Sequence, residues 1–135
     1  MIRKLALALT APILVLACGS RVDPEAQQSA GRIARAVELL RSAPNAGKPT
    51  ALSELKKLAC AGPDVCETRL ACETAYAQHI DALNLTAAAK LKLDDGHGDE
   101  AAKLLGSAEE KLGQAAPLVT VCTEREAALR RRYKL

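Results

Sequence analysis

The feature that most constrains this chain is an apolar repeat near its C-terminus. Apolar residues recur there at alternating steps of three and four, and the one position passed over holds Glu126. The members of the repeat are Leu105, Ala108, Leu112, Ala115, Val119, Cys122 and Leu129. This spacing places its members along one side of a helix and is typical of a helix that packs along a partner helix. The repeat therefore predicts a long helix with an apolar seam.

A second apolar side lies upstream and supplies a partner for this seam. Its members are Cys72, Tyr76, Ile80, Leu83, Ala87 and Leu91. The segment 94–99 between the two sides, DDGHGD, is rich in residues that favour turns. Folding about this turn pairs the two sides as Cys72 with Cys122, Ile80 with Ala115, Leu83 with Leu112 and Ala87 with Ala108. We therefore expect an antiparallel helical hairpin with arms at about 64–93 and 99–132.

Two shorter helices precede the hairpin. Asp23 followed by Pro24 is typical of a helix start, and it predicts a helix at about 23–42. Thr50 is the expected N-cap of a short helix at about 50–60, which Gly62 and Pro63 end. Together these segments predict a single all-α domain at 23–135, a small helical bundle built on a long, disulfide-stapled antiparallel hairpin.

Two features predict local detail within the hairpin. Asp64 and Glu67 have the spacing of a capping box at the start of the first arm. Pro117 lies inside the second arm, where it removes an internal hydrogen bond, so we expect a kink or break there.

The N-terminal segment has the pattern of a secretory signal peptide. Arg3 and Lys4 precede an apolar run at 5–16, and the small residues Ala17 and Cys18 follow it. The run is shorter than the roughly 20 apolar residues of a membrane-spanning helix. The pattern predicts that residues 1–17 are cleaved from the exported protein.

The residues Val15-Leu16-Ala17-Cys18 resemble the lipobox of bacterial lipoprotein precursors. The resemblance implies that Cys18 carries a diacylglycerol and that residues 18–22 form a short tether to the membrane. Gly19 follows the cysteine where an inner-membrane retention signal would have Asp, which resembles the default for the outer membrane. The resemblance thus implies a lipid-anchored protein, facing the periplasm or the cell exterior. The alternative is an ordinary signal peptide that ends in a cysteine by chance.

The remaining four cysteines predict two disulfides in such an exported chain. The hairpin register pairs Cys72 with Cys122, and the short loop between Cys60 and Cys66 can close on itself. The other connectivity we consider joins Cys60 to Cys72 and Cys66 to Cys122. A zinc site is disfavoured because the spacing lacks the close cysteine pairs of structural zinc sites.

Composition excludes several classes of binding surface and suggests no catalytic group. The chain has two tyrosines and no phenylalanine or tryptophan, so a base-stacking nucleic-acid surface or an aromatic cage is not expected. No motif indicates a cofactor, a metal site or catalytic residues. We expect a protein-interaction, scaffold or accessory component of the envelope, not an enzyme. The alternative is a periplasmic small-ligand or metal carrier, with a pocket between helices near His79 and Tyr76.

Overall fold

The computed structural model describes residues 22–135, so the expected signal peptide and Cys18 lie outside the described residues. Within this range the chain forms four α-helices and no β-strand. Helix α1 spans Pro24–Ser42, α2 spans Lys48–Lys57, α3 spans Pro63–Asp94 and α4 spans Gly98–Tyr133, with a 3-10 turn at Asn45–Gly47 before α2. The predicted all-α class and the long helical hairpin are confirmed.

Proline and capping residues set the starts of the first two helices. The side chain of Asp23 accepts a hydrogen bond from the backbone N–H of Glu25 at 3.1 Å, so Asp23 is the N-cap of α1 as predicted. Helix α2 begins earlier than expected, with Gly47 at its N-cap and Pro49 in its first turn. Thr50 therefore lies inside α2 and does not cap it. A proline is favoured in the first turn because its missing N–H would have no partner there.

The same preference moves the start of α3. Its N-cap is Gly62, whose φ of 92° lies in a region that favours glycine, and Pro63 is its first residue. Asp64 consequently lies in the first turn, and the predicted capping box does not form. Glu67 pairs instead with Arg125 of α4, at 2.7 Å.

Helices α3 and α4 pack along each other as an antiparallel hairpin. A turn that includes Gly96, with a φ of 79°, connects them. The Cys72–Cys122 disulfide crosses the hairpin with its Cα atoms 4.7 Å apart. Helix α4 runs through Pro117 without a break. The disulfide confirms the predicted pairing of these two cysteines.

The seam of the hairpin matches the predicted one only in part. The predicted members that are buried are Cys72, Tyr76 and Ile80 of α3 and Ala108, Ala115, Cys122 and Leu129 of α4. In α4 the expected Leu105 and Leu112 are 45% and 43% exposed, and in α3 the expected Ala87 and Leu91 are also exposed. One series of buried residues in each helix recurs every seven positions, and most members of these two series are alanines. They are Ala75, Ala82 and Ala89 in α3, and Ala101, Ala108, Ala115, Cys122 and Leu129 in α4.

Side-chain size explains why alanines and not leucines lie at the contact between α3 and α4. Two helices approach most closely where small side chains meet, because the interaxial distance depends on the residues at the contact. Alanines at the contact bring α3 and α4 together, and the leucines beside them are left at the edges of the seam. Apolar periodicity alone could not distinguish the two arrangements, because alanine and leucine both count as apolar.

Helices α1 and α2 cover one side of the hairpin over part of its length. The core contains Ile33, Val37 and Leu40 of α1 and Leu52 and Leu55 of α2. On α3 this core ends at Ile80, and on α4 it ends at Leu118. We call the part with the core the base, and the two-helix part at 81–117 the stalk. At 1.5 Å per residue, the α4 part of the stalk is about 30 Å long.

Candidate functional site

The four cysteines form the predicted disulfides. Cys60 is bonded to Cys66 and Cys72 to Cys122, so the other connectivity is wrong. Cys72 and Cys122 are fully buried in the core, whereas Cys60 and Cys66 are partly exposed. The Cys60–Cys66 bridge closes the loop between α2 and α3, and the Cys72–Cys122 bridge joins α3 to α4. Both bridges lie in the base. The proposed lipidation site, Cys18, is outside the described residues.

A network of charged side chains joins α1 to α4 in the base. Glu126 is only 4% exposed, and its two carboxylate oxygens accept hydrogen bonds from Arg41 and Arg130. Arg130 also pairs with Glu38 of α1 at 2.9 Å. The hydrogen bond to Glu126 raises the pKa of Arg41. Because a buried carboxylate is costly without partners, this network explains how an acid is tolerated within the apolar repeat.

Lys48 is a second buried charged residue. It is 7% exposed, and its Nζ donates hydrogen bonds to the carbonyl oxygens of Leu40 and Arg41 at 3.2 and 3.1 Å. Its ammonium also lies 5.9 Å from the centre of the Tyr76 ring. Lys48 thus donates hydrogen bonds to carbonyl oxygens in the last turn of α1, which lack N–H donors within the helix. This role of Lys48 was not predicted from the sequence, because no pattern distinguishes Lys48 from a solvated lysine.

The start of α1 and the end of α4 meet at one end of the molecule, which we call the terminal pole. Here Gln27 Nε2 donates to the carbonyl oxygen of Tyr133 at 2.9 Å. The Tyr133 hydroxyl donates to Asp64 at 3.1 Å, and Arg132 pairs with the same carboxylate at 3.3 Å. Burial, and then the bond to Asp64, raise the pKa of Tyr133. A cleft of about 580 Å³ at this pole is lined by Asp64, Arg132 and Tyr133 together with Val22.

The histidines do not converge with other ligand-type residues. His79 packs edge-on to Tyr76 with ring centres 6.4 Å apart, and Tyr76 is itself part of the core. His97 lies at the hairpin turn, far along the chain from this pair. Within residues 22–135, no three His, Cys, Asp or Glu side chains are grouped so that they could hold a metal ion.

A shallow apolar groove runs between α3 and α4 in the base. It has a volume of about 290 Å³ and is lined mainly by Leu70, Ala71, Leu118 and Val121. Leu70 is 61% exposed, and the Glu67–Arg125 ion pair also borders the groove. The groove is open to solvent, and its lining is mainly apolar. It can therefore contact an apolar surface or a small apolar molecule.

The stalk exposes the other large apolar side chains of the hairpin. Leu91 is 65% exposed and Leu93 55% exposed, in addition to the two leucines of α4 already described. Scattered surface leucines are common in proteins, but four of them on a short two-helix stalk give its surface an apolar character. Of the features of the described chain, this surface is the best candidate for binding another protein.

None of the helices in the described range combines the length and the apolar character needed to cross a membrane. Comparison of the chain with protein-family models, with curated proteins and with solved structures finds no match.

Proposed function

We propose that this chain is a lipid-anchored protein of the bacterial cell envelope, and that it acts as an interaction, scaffold or accessory component. The observation that carries the proposal is the stalk, a two-helix projection that exposes four leucines and is rooted in a disulfide-bonded base. An exposed apolar surface of this kind is typical of a site that binds another protein. The two disulfides are consistent with an oxidising compartment outside the cytoplasm.

The geometry of the terminal pole fits an anchor at Cys18. Val22 lies at this pole, and residues 19–21 can span at most about 14 Å between Cys18 and Val22. The base of an anchored protein would therefore lie close to the bilayer. Helix α4 has 36 residues and is about 54 Å long, so the hairpin turn would be far from the anchored end. Such an arrangement presents the stalk to partners in the periplasm or at the cell exterior.

The anchor is tested by the intact mass of the protein extracted from native membranes, before and after reduction. We expect a mass that lacks residues 1–17, includes acyl chains and gains four hydrogens on reduction of the two disulfides. The Cys18→Ser variant is the matched control, and it should lose the acyl chains while keeping both disulfides. An unlipidated mass with four free thiols would contradict the proposal.

A second candidate function is a carrier of a small apolar ligand, favoured by the groove at Leu70 and Val121. A carrier must be stabilised by its cargo, because cargo binds the folded state preferentially. A thermal-shift series with fatty acids and divalent metals tests this candidate. A rise in Tm that is lost in Leu70→Asp would support it, whereas an unchanged Tm would exclude these cargoes.

A further inference from the structure

One side of α4 is covered in the base but open in the stalk. Tyr133 and Glu126 are each 4% exposed, and α1 contacts both of them. Val119 packs against the core. Leu112 and Leu105 follow at the same seven-residue interval, and both are exposed. The side of α4 that α1 covers in the base therefore continues along the stalk, where its leucines are exposed to solvent.

Helix α3 has the same discontinuity. Tyr76 is buried in the core, Leu83 is half-buried and Lys90 is exposed, again at seven-residue intervals. In a packed pair of helices, residues seven apart lie on the same side of the seam. The open sides of α3 and α4 thus form the two walls of one groove, which we call the stalk groove.

Within the base, this side is covered by α1 together with α2, and the helix that contacts Glu126 and Tyr133 of α4 is the amphipathic α1. Helix α1 buries an apolar stripe and keeps its other side exposed. The stripe contains Ala26, Ala30, Ile33, Ala34, Val37 and Leu40. The stalk groove is a continuation of the surface that binds α1 and α2 in the base, and it presents leucines at the positions of α4 that α1 covers there.

Charged residues beside the covered surface have counterparts in the stalk. Arg130 of α4 pairs with Glu38 of α1, and Glu109 lies three seven-residue intervals before Arg130. Arg69 of α3 donates to the carbonyl oxygen of Leu58 after α2, and Lys90 lies three intervals after Arg69. Within residues 22–135, neither Glu109 nor Lys90 forms an ion pair. The α3 side of the groove therefore presents a positive charge at Lys90, and the α4 side presents a negative charge at Glu109.

We infer that the stalk groove binds one amphipathic α-helix of another envelope protein, in line with α1. The matching chemistry is an apolar stripe with acidic residues towards Lys90 and basic residues towards Glu109. The open part of α4, at 98–116, is about 28 Å long, which accommodates a helix of about 18 residues. This inference rests on the proposed function. It names the stalk groove as the surface that binds the partner and an amphipathic helix as the part of the partner that is bound.

The experiment places a photo-reactive amino acid in the full-length protein within its native cells. It replaces Leu105 in the stalk groove, and in matched controls it replaces Leu39 on α1 or Leu70 in the groove of the base, which are 59% and 61% exposed. We expect an adduct with another protein at position 105 and not at the controls. Peptide mapping should place the attachment in a segment whose apolar residues recur at steps of three and four.

Substitutions then test the chemistry of the groove. Leu112→Glu should reduce the adduct at position 105 by roughly tenfold or more, because it places a charge against the apolar stripe of the partner. Lys90→Glu should also weaken it, whereas Lys103→Glu, at an exposed position outside the groove, should have less effect. Circular dichroism should be unchanged by Leu112→Glu, since Leu112 is exposed in the folded protein.

The other outcomes overturn the inference in distinguishable ways. Adducts only at Leu70 or Leu39 would show that the partner binds elsewhere on the protein. An adduct with a second copy of this chain would show that the groove mediates self-association and does not bind another envelope protein. If no adduct forms although the intact mass includes acyl chains, the inferred binding at the stalk groove is wrong, whereas the proposed lipid anchor is supported. If the acyl chains are also absent, the proposed function itself fails.

Discussion

At the scale of single residues, Glu126 shows how a polar group is accommodated within an apolar repeat. From sequence it was the one position passed over, and in the structure it is buried at that position between two arginines. The repeat predicted that position 126 faces other helices. It could not predict the ion-pair network, because Arg41 is 85 residues away in sequence.

Removing this carboxylate should destabilise the base. We expect Glu126→Ala to lower the free energy of unfolding by about 2 kcal/mol, because two arginines lose a charged hydrogen-bond acceptor and the side chain leaves a buried site. Urea unfolding measures the change, and Glu124→Ala, at an exposed position on the same helix, is the control. Equal free energies of unfolding of the two variants would show that the Glu126 network does not stabilise the folded protein.

Tyr133 should make stability depend on alkaline pH. Its pKa in the folded protein lies above the ordinary value of about 10, since burial and the hydrogen bond to Asp64 favour the neutral hydroxyl. The resulting stabilisation is fully present below about pH 10 and is lost as the pH rises through the folded pKa. The Tm of the wild type should therefore exceed that of Tyr133→Phe at pH 8, and the gap should narrow above pH 10.

The comparison with Tyr133→Phe isolates this effect, because Tyr76 and the lysines are present in both proteins. A gap in Tm that stays constant from pH 8 to pH 11 would contradict the prediction. Absorbance at alkaline pH gives an independent reading of the ionisation of Tyr133, by difference between the two proteins.

At the scale of elements, sequence predicted the hairpin better than its contact surface. The turn at 94–99 and the paired apolar sides were sufficient to set Cys72 against Cys122. Local patterns do not report how closely two helices approach, so the choice between alanines and leucines at the seam could not be made. The caps of α2 and α3 were wrong because prolines moved the helix starts upstream.

The two disulfides should contribute unequally to stability. Chain-entropy arguments give about 4 kcal/mol for the Cys72–Cys122 bridge, which has a sequence separation of 50, and about 2 kcal/mol for Cys60–Cys66, with a separation of 6. Urea unfolding of the double variants Cys72→Ala/Cys122→Ala and Cys60→Ser/Cys66→Ser measures both losses. A larger loss from the short bridge would show that the α2–α3 loop contributes more than its length suggests.

At the scale of the whole molecule, the base and the stalk should differ in local stability. The core lies in the base, whereas each helix of the stalk packs on its partner alone, mainly through alanines. Small buried side chains remove little apolar area from water, so the stalk should open more easily. Hydrogen-exchange mass spectrometry should find faster amide exchange at 83–115 than in the buried parts of α1. Uniform protection would indicate that the stalk is stabilised by contacts beyond those of the single chain.

The Cys72–Cys122 bridge has a further consequence for the connectivity of the molecule. Together with the backbone it closes residues 72–122 into a covalent ring, and the whole stalk with its turn lies within that ring. A protease that cuts the turn near Gly96 would break the backbone, yet the two fragments would remain one molecule until the disulfide is reduced. The nicked protein would keep its molecular mass, apart from one added water, on a non-reducing analysis and would separate into two chains on a reducing one. Damage at the most exposed end of the hairpin therefore does not detach either helix of the stalk from the base.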